Sequence, residues 1–118
     1  MSQDFLEGLV SLTSAVEGSK GAALVGLDGI PIESLSQGLD SVDAGAEYAS
    51  ILGDAQKASQ DLNLGQVQAL SILTDRMSLL FSLLKSEYFL MLAVENRGNW
   101  GKAKYKLSGH TRKLEEEM

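Results

Sequence analysis

Apolar residues first recur at helical spacing. Across residues 2–17, Phe5, Leu9, Leu12 and Val16 fall on one side of a helix, which predicts an amphipathic segment. Ser2 is placed to cap it, Asp4 and Glu7 suit its positive end, and Gly18 is placed to stop it. The pattern then shortens. In GAALVGLDGIPIES two short apolar runs flank Asp28-Gly29, a pair that tolerates the positive φ of a tight hairpin turn. Pro31 has no amide to give a ladder, so the second of these strands should lie at a sheet edge.

After a loop, SQGLDSVDA, with Asp43 as the expected N-cap, a second helix is predicted over about 44–62. Tyr48, Ile51, Leu52, Ala55, Ala58 and Leu62 make one face of it, and Glu47, Ser50, Asp54, Lys57 and Asp61 the opposite one. Between them Gly45, Ala49 and Gly53 repeat at every fourth position, a stripe that would let another backbone come close. Three apolar runs follow, QVQALSILT, MSLLFSLLK and YFLMLAV, separated by Asp75-Arg76 and Ser86-Glu87. Spacers that short fit hairpins. The second and third runs are apolar on both faces, as strands buried between helices are. Asn96-Arg97-Gly98-Asn99 breaks the last strand, and a third helix is predicted over about 100–117. Its stripe is Ala103, Leu107, His110, Leu114 and Met118. The order αββαβββα predicts a single α+β domain over residues 1–118, with a five-stranded, mainly antiparallel sheet and helices on both faces.

Composition narrows what such a domain does. The 118 residues include no cysteine, so disulfides, thiolate nucleophiles and cysteine-bound metals are excluded. No basic N-terminal segment with a long apolar run and no membrane-length apolar stretch is present, and a cytoplasmic, non-inserted protein is expected. The net charge of −6 argues against general nucleic-acid binding. That charge is polarised: residues 1–96 hold 4 basic and 13 acidic side chains, whereas 97–113 hold six basic ones and no acid. The basic stretch reads as a solvated helix face or as a dock for an acidic partner. Glu115, Glu116 and Glu117 stand at the end of the helix that the macrodipole disfavours for acids, so a frayed tail is expected.

Enzymatic chemistry finds no foothold. The phosphate loop, the dinucleotide fingerprint and the G-x-S-x-G nucleophile elbow are all missing from the sequence. His110 is the one histidine and falls on an apolar stripe, where a packed or partly exposed imidazole is expected. Asp40 and Asp43 are read as caps or solvated groups, and Trp100 and Tyr105 beside lysines do not make a stacking platform. No catalytic residue, metal, cofactor or small-molecule substrate is expected. Binding is the alternative. The first strand of the meander, expected at Gln66–Thr74, carries neither Pro nor an internal charge to guard its edge, and an isologous dimer is the simplest way to pair it.

The hairpin KGAALVGLDGIPIES, the small-residue helix, the three strands, the Gly-Asn break and NRGNWGKAKYKL follow one another as in the Roadblock / dynein-light-chain family, which the chain resembles over nearly its whole length. The segment EYFLMLAVENRGNWGKAKY is especially similar to the compact MglC-type members of bacterial polarity and motility systems. The resemblance implies a non-enzymatic homodimer whose sheets join edge to edge into ten strands, with the second helices side by side. It implies partners among Ras-like (MglA-type) GTPases and other Roadblock (MglB-type) proteins. MglB-type members accelerate GTP hydrolysis from the face of the paired helices, without inserting an arginine, and MglC-type members look like adaptors. Carried onto this chain, the dimer seam would include Gly45, Ala49, Gly53, Val67, Ala69 and Ser71, and the partner face Glu47, Ser50, Asp54 and Lys57. A direct GTPase activator is the alternative, for which Arg76 and Arg97 are the turn-region arginines to consider. Longer MglB-type proteins carry a C-terminal extension; the resemblance to compact members leads us to expect none here, and with it no nucleotide-exchange role for such a tail.

Overall fold

Eight elements follow in the expected order: α1 (Ser2–Ala15), β1 (Ser19–Gly26), β2 (Pro31–Ser36), α2 (Ser41–Asp61), β3 (Ala69–Leu73), β4 (Met77–Leu84), β5 (Tyr88–Glu95) and α3 (Trp100–Glu117). The computed structural model describes residues 2–85, 87–96 and 99–117, and side chains from Phe5 onward. The expected cap at Ser2, the dipole partner Asp4, the turn residue Ser86, Arg97 and Gly98 of the strand break, and Met118 on the last stripe lie outside that description. No helix among the described residues is long and apolar enough to cross a membrane.

The strands form one antiparallel sheet in the order β2-β1-β5-β4-β3. β2, with Pro31, is an edge strand as its missing amide requires, and β3 is the other edge. β5 is central, because β1 returns to pair with it from Ser19↔Val94 to Gly26↔Tyr88. At the first hairpin Gly29 takes φ 90°, the left-handed conformation the turn demands, and the Asp28 carboxylate accepts the Ile30 N–H at 3.0 Å.

Helices cover both faces. On one, α1 lies over β1 and β2, and α3 over β4 and β5. Leu9, Leu12 and Val16 meet Leu24, Leu80, Leu90 and Leu92 there, with Ala103, Leu107 and Leu114 of α3. On the other, α2 lies over β1 and β2, and Ala49 and Leu52 pack with Val25, Phe81, Phe89 and Met91. β4 and β5 are buried on both faces, which accounts for their unbroken apolar runs.

Several boundaries move. α2 begins at Ser41, not 44, because Asp40 is its N-cap: the Asp40 carboxylate accepts the Asp43 N–H at 3.1 Å, and Asp43 becomes a first-turn acid. β3 is shorter than Gln66–Thr74, although the Gln68 carbonyl still accepts the Leu83 N–H at 3.0 Å and carries the ladder one step back. α3 stays helical through Glu117 in place of a frayed tail, and the Glu115 carboxylate accepts the Lys85 N–H at 3.3 Å. Lys85 takes φ 52° in that turn.

Candidate interaction surface

The sequence placed a small-residue stripe of α2 outward, and the structure turns most of it inward. The helix buries Ser41, Gly45, Ala49, Leu52 and Gln56. A Cβ added at Gly45 would lie 2.9 Å from Val25 Cγ2, so the absence of a side chain there lets α2 approach its own sheet. Gly45 and Ala49 are therefore intramolecular packing residues and leave the expected dimer seam. Gly53 differs: it is half-buried, and a Cβ there meets nothing within 4 Å. Of the apolar face predicted for α2, Leu52 is buried and Tyr48 and Ala55 are half-buried, but Ile51, Ala58 and Leu62 are exposed.

Glu47, Ser50, Asp54 and Lys57 are all exposed on α2, and the Lys57 ammonium pairs with Asp61 at 3.3 Å in solvent. An exposed pair of this kind adds little stability. Arg76 is exposed in the β3–β4 turn.

Because α2 stands over β1 and β2, the β3 side of the same face has no helix of its own. Leu70 and Ile72 of β3 and Met77 of β4 are only half-buried there. Together with Tyr48, whose ring meets that of Phe81 at a tilt with 5.4 Å between centroids, and exposed Ile51, they form an apolar shelf along α2. Leu64, after the helix, is 73% exposed.

β3 borders this shelf as a free edge. Antiparallel partners alternate between bonded and non-bonded pairs. With Gln68 and Thr74 both bonded toward β4, the even-numbered residues face the ladder, so Ala69, Ser71 and Leu73 aim their N–H and C=O groups outward. Those groups have no backbone partner among the described residues. Val67 is half-buried instead, and its N–H donates to Gln56 Oε1 at 2.7 Å.

Two polar residues that periodicity could not single out shape this edge. Gln56 is 8% exposed and holds the α2–β3 connection down, while its Nε2 finds no partner among the described residues. Asn96, at the end of β5, donates through Nδ2 to the carbonyls of Thr74 and Asp75 at 2.9 and 2.7 Å and accepts from the Ser78 hydroxyl. It ties the β3–β4 turn to the centre of the sheet. Only its place in an Asn-Arg-Gly-Asn break hinted at a local role.

His110 is half-buried between α3 and α1. Burial lowers its pKa from the ordinary value; the charges of Lys113 and Lys106 act in the same direction, and backbone hydrogen bonds at Lys106 and Gly8 oppose them. Trp100 is half-buried against the core, and Lys104 Nζ stands 5.8 Å from its ring centroid.

A family model described as the Roadblock/LC7 domain matches residues 5–94. MglC from Myxococcus xanthus is 30% identical, with 100% of each chain covered and a TM-score of 0.71. MglB from the same organism is 16% identical over 98% of this chain and 87% of its own, with a TM-score of 0.88. A Roadblock/LC7 domain from Streptomyces avermitilis is 16% identical over 95% of each chain, with a TM-score of 0.84. At such identity these last two likenesses speak for the fold. No match was found among curated proteins.

Proposed function

The chain belongs to the Roadblock/LC7 family, and from that premise we propose that it is a homodimeric adaptor, without catalysis of its own, in a Ras-like, MglA-type GTPase system. It pairs with its own copy along β3 and α2 and binds an MglB-type Roadblock protein, the GTPase, or both. The observation that carries this reading is the free edge of β3 beside an uncovered apolar shelf. A second copy related by a twofold axis would answer both features at once, pairing Ala69 and Ser71 across the axis and laying its own α2 on Leu70, Ile72 and Met77. Ten strands then run continuously, with Gly53 and Val67 at the seam. Glu47, Ser50, Asp54 and Lys57 stay outside the core of α2, free to meet a partner.

The full-length likeness to MglC supports the adaptor role within this reading. The other reading is direct activation of GTP hydrolysis, for which Arg76 in the exposed β3–β4 turn is the side chain to test. Single-turnover GTP hydrolysis by an MglA-type GTPase, with and without this protein, separates the two. Unchanged hydrolysis together with calorimetric binding to an MglB-type protein is the expected result. An acceleration of about tenfold, some 1.4 kcal/mol off the barrier, would make the protein an activator. Loss of that acceleration in Arg76→Ala would then assign the residue. Binding to neither class of partner would sink the adaptor reading.

A further inference from the structure

The opposite face of the β3 edge holds a groove of about 630 Å³ between β3 and α3. Its floor includes Ala69 and Ser71, both exposed. Lys104, Ser108 and Arg112 line the wall at successive turns of α3, and Lys85 stands where β4 ends. Among the described residues the one acid lining it, Glu115, already accepts the Lys85 N–H. Three exposed cations against one engaged carboxylate is a local reversal of sign in a chain whose net charge is −6.

The groove exists because the helix layer stops one strand short. α1 covers β1 and β2, α3 covers β4 and β5, and β3 is left bare on this side. A helix is about 10 Å across and strands lie about 4.8 Å apart, so one helix covers roughly two strands. Should β3 pair with its copy, as the proposed function requires, two bare strands meet at the twofold axis. The gap between α3 and its copy is then one helix wide. Its floor is built from small side chains, Ala69 and Ser71 of each chain, and both its walls carry Lys104 and Arg112.

We infer that this trough binds one acidic amphipathic helix of a partner protein per dimer, small or apolar residues on the floor and carboxylates toward the two basic walls. The charge of the walls selects an acidic helix over a neutral or basic one. The overall negative charge of the chain disfavours nucleic acid as the occupant. A site on a twofold axis admits one helix in either direction, so the stoichiometry is one helix to two chains, distinct from a symmetric two-to-two complex.

The inference rests on the dimer reading, and the test separates them. The full chain is titrated calorimetrically with a synthetic helical peptide of the length of α3, bearing a glutamate stripe beside an alanine-leucine stripe. A lysine-for-glutamate version serves as control, and light scattering is run on the same samples. The expected result is a dimer that binds the acidic peptide at one per two chains, more weakly as salt rises, and ignores the basic one. The double variant Lys104→Glu/Arg112→Glu, altered only at exposed helix positions, should stay dimeric and lose roughly tenfold or more in affinity. Glu115→Gln keeps an acceptor for the Lys85 N–H and should tighten binding. A dimer that binds neither peptide, or both alike, overturns the trough alone. A monomer overturns the pairing and the trough together.

Discussion

The Gln56 side chain shows how a single buried amide can hold an edge strand in place. Its Oε1 is the partner of the Val67 N–H, in the connection between α2 and β3. Gln56→Ala removes that acceptor and leaves the half-buried Val67 N–H without its partner, which costs about 1 kcal/mol. The urea midpoint should fall accordingly, and the Val67 amide should exchange with deuterium faster. His110 makes a pH prediction with a definite sign. Its imidazole is held below the ordinary 6.5 in the folded chain, so the unfolded chain takes up the proton first as pH drops. This contribution to stability is complete above about that ordinary value and is lost as pH falls through the lower, folded value. His110→Gln, which does not titrate there, should flatten the acid side of a stability profile between neutral and mildly acidic pH. An identical slope in both proteins would remove His110 from the account. The place of His110 was legible from the apolar stripe of α3, whereas that of Gln56 was not. A glutamine among charged neighbours on a helix reads as solvated, and the fold alone brings it against Val67.

At the scale of elements, α2 carries the sharpest contrast. Its glycines share a period but not an environment. Gly45→Leu drives a side chain into Val25 and should destabilise folding by about 1–3 kcal/mol or more, seen as a lower melting temperature. Gly53→Ala meets open space and removes a flexible helix residue, so it should raise stability by up to about 1 kcal/mol. Gly53→Leu should keep the fold yet weaken self-association in the proposed seam, and an unchanged mass by light scattering at low micromolar concentration would take Gly53 out of it. Here lay the limit of the sequence. The spacing of Gly45, Ala49 and Gly53 marked a stripe of close approach, but a repeat of four residues does not state which neighbour approaches. The apolar side chains at Tyr48, Ile51 and Leu52 pointed to a core side that is rotated from the one observed. The strands were clearer, because short apolar runs set off by the Asp28-Gly29 and Asp75-Arg76 turns mark where they lie. Asp43 mistaken for Asp40 shows the remaining ambiguity, since either aspartate satisfies the pattern of an N-cap and only the backbone at Asp40 decides it.

For the molecule as a whole, self-association turns on which amides of β3 face outward. Ser71→Pro takes away an outward N–H and leaves the ladder to β4 intact, so it should yield a folded monomer by light scattering and circular dichroism. Ile72→Pro removes an inward N–H and should unfold the edge itself. A dimer that survives Ser71→Pro would place the interface elsewhere. Fold class, element order and the exposed edge were all readable from the chain, because each follows from short-range patterns. What joins the elements into a sheet was not: no local signal says that β1 should pair with β5. That pairing, with Ser19 opposite Val94, also governs when the protein can exist as a folded body during its synthesis. The first hairpin leaves the ribosome with one long side unsatisfied and stays so until β5 (Tyr88–Glu95) has emerged. Closing so long a loop delays folding more than it weakens the product. A nascent chain halted after β4 would therefore display β1 as a sticky strand, and chaperone capture or premature pairing with a neighbouring nascent copy is the hazard that the late arrival of β5 ends.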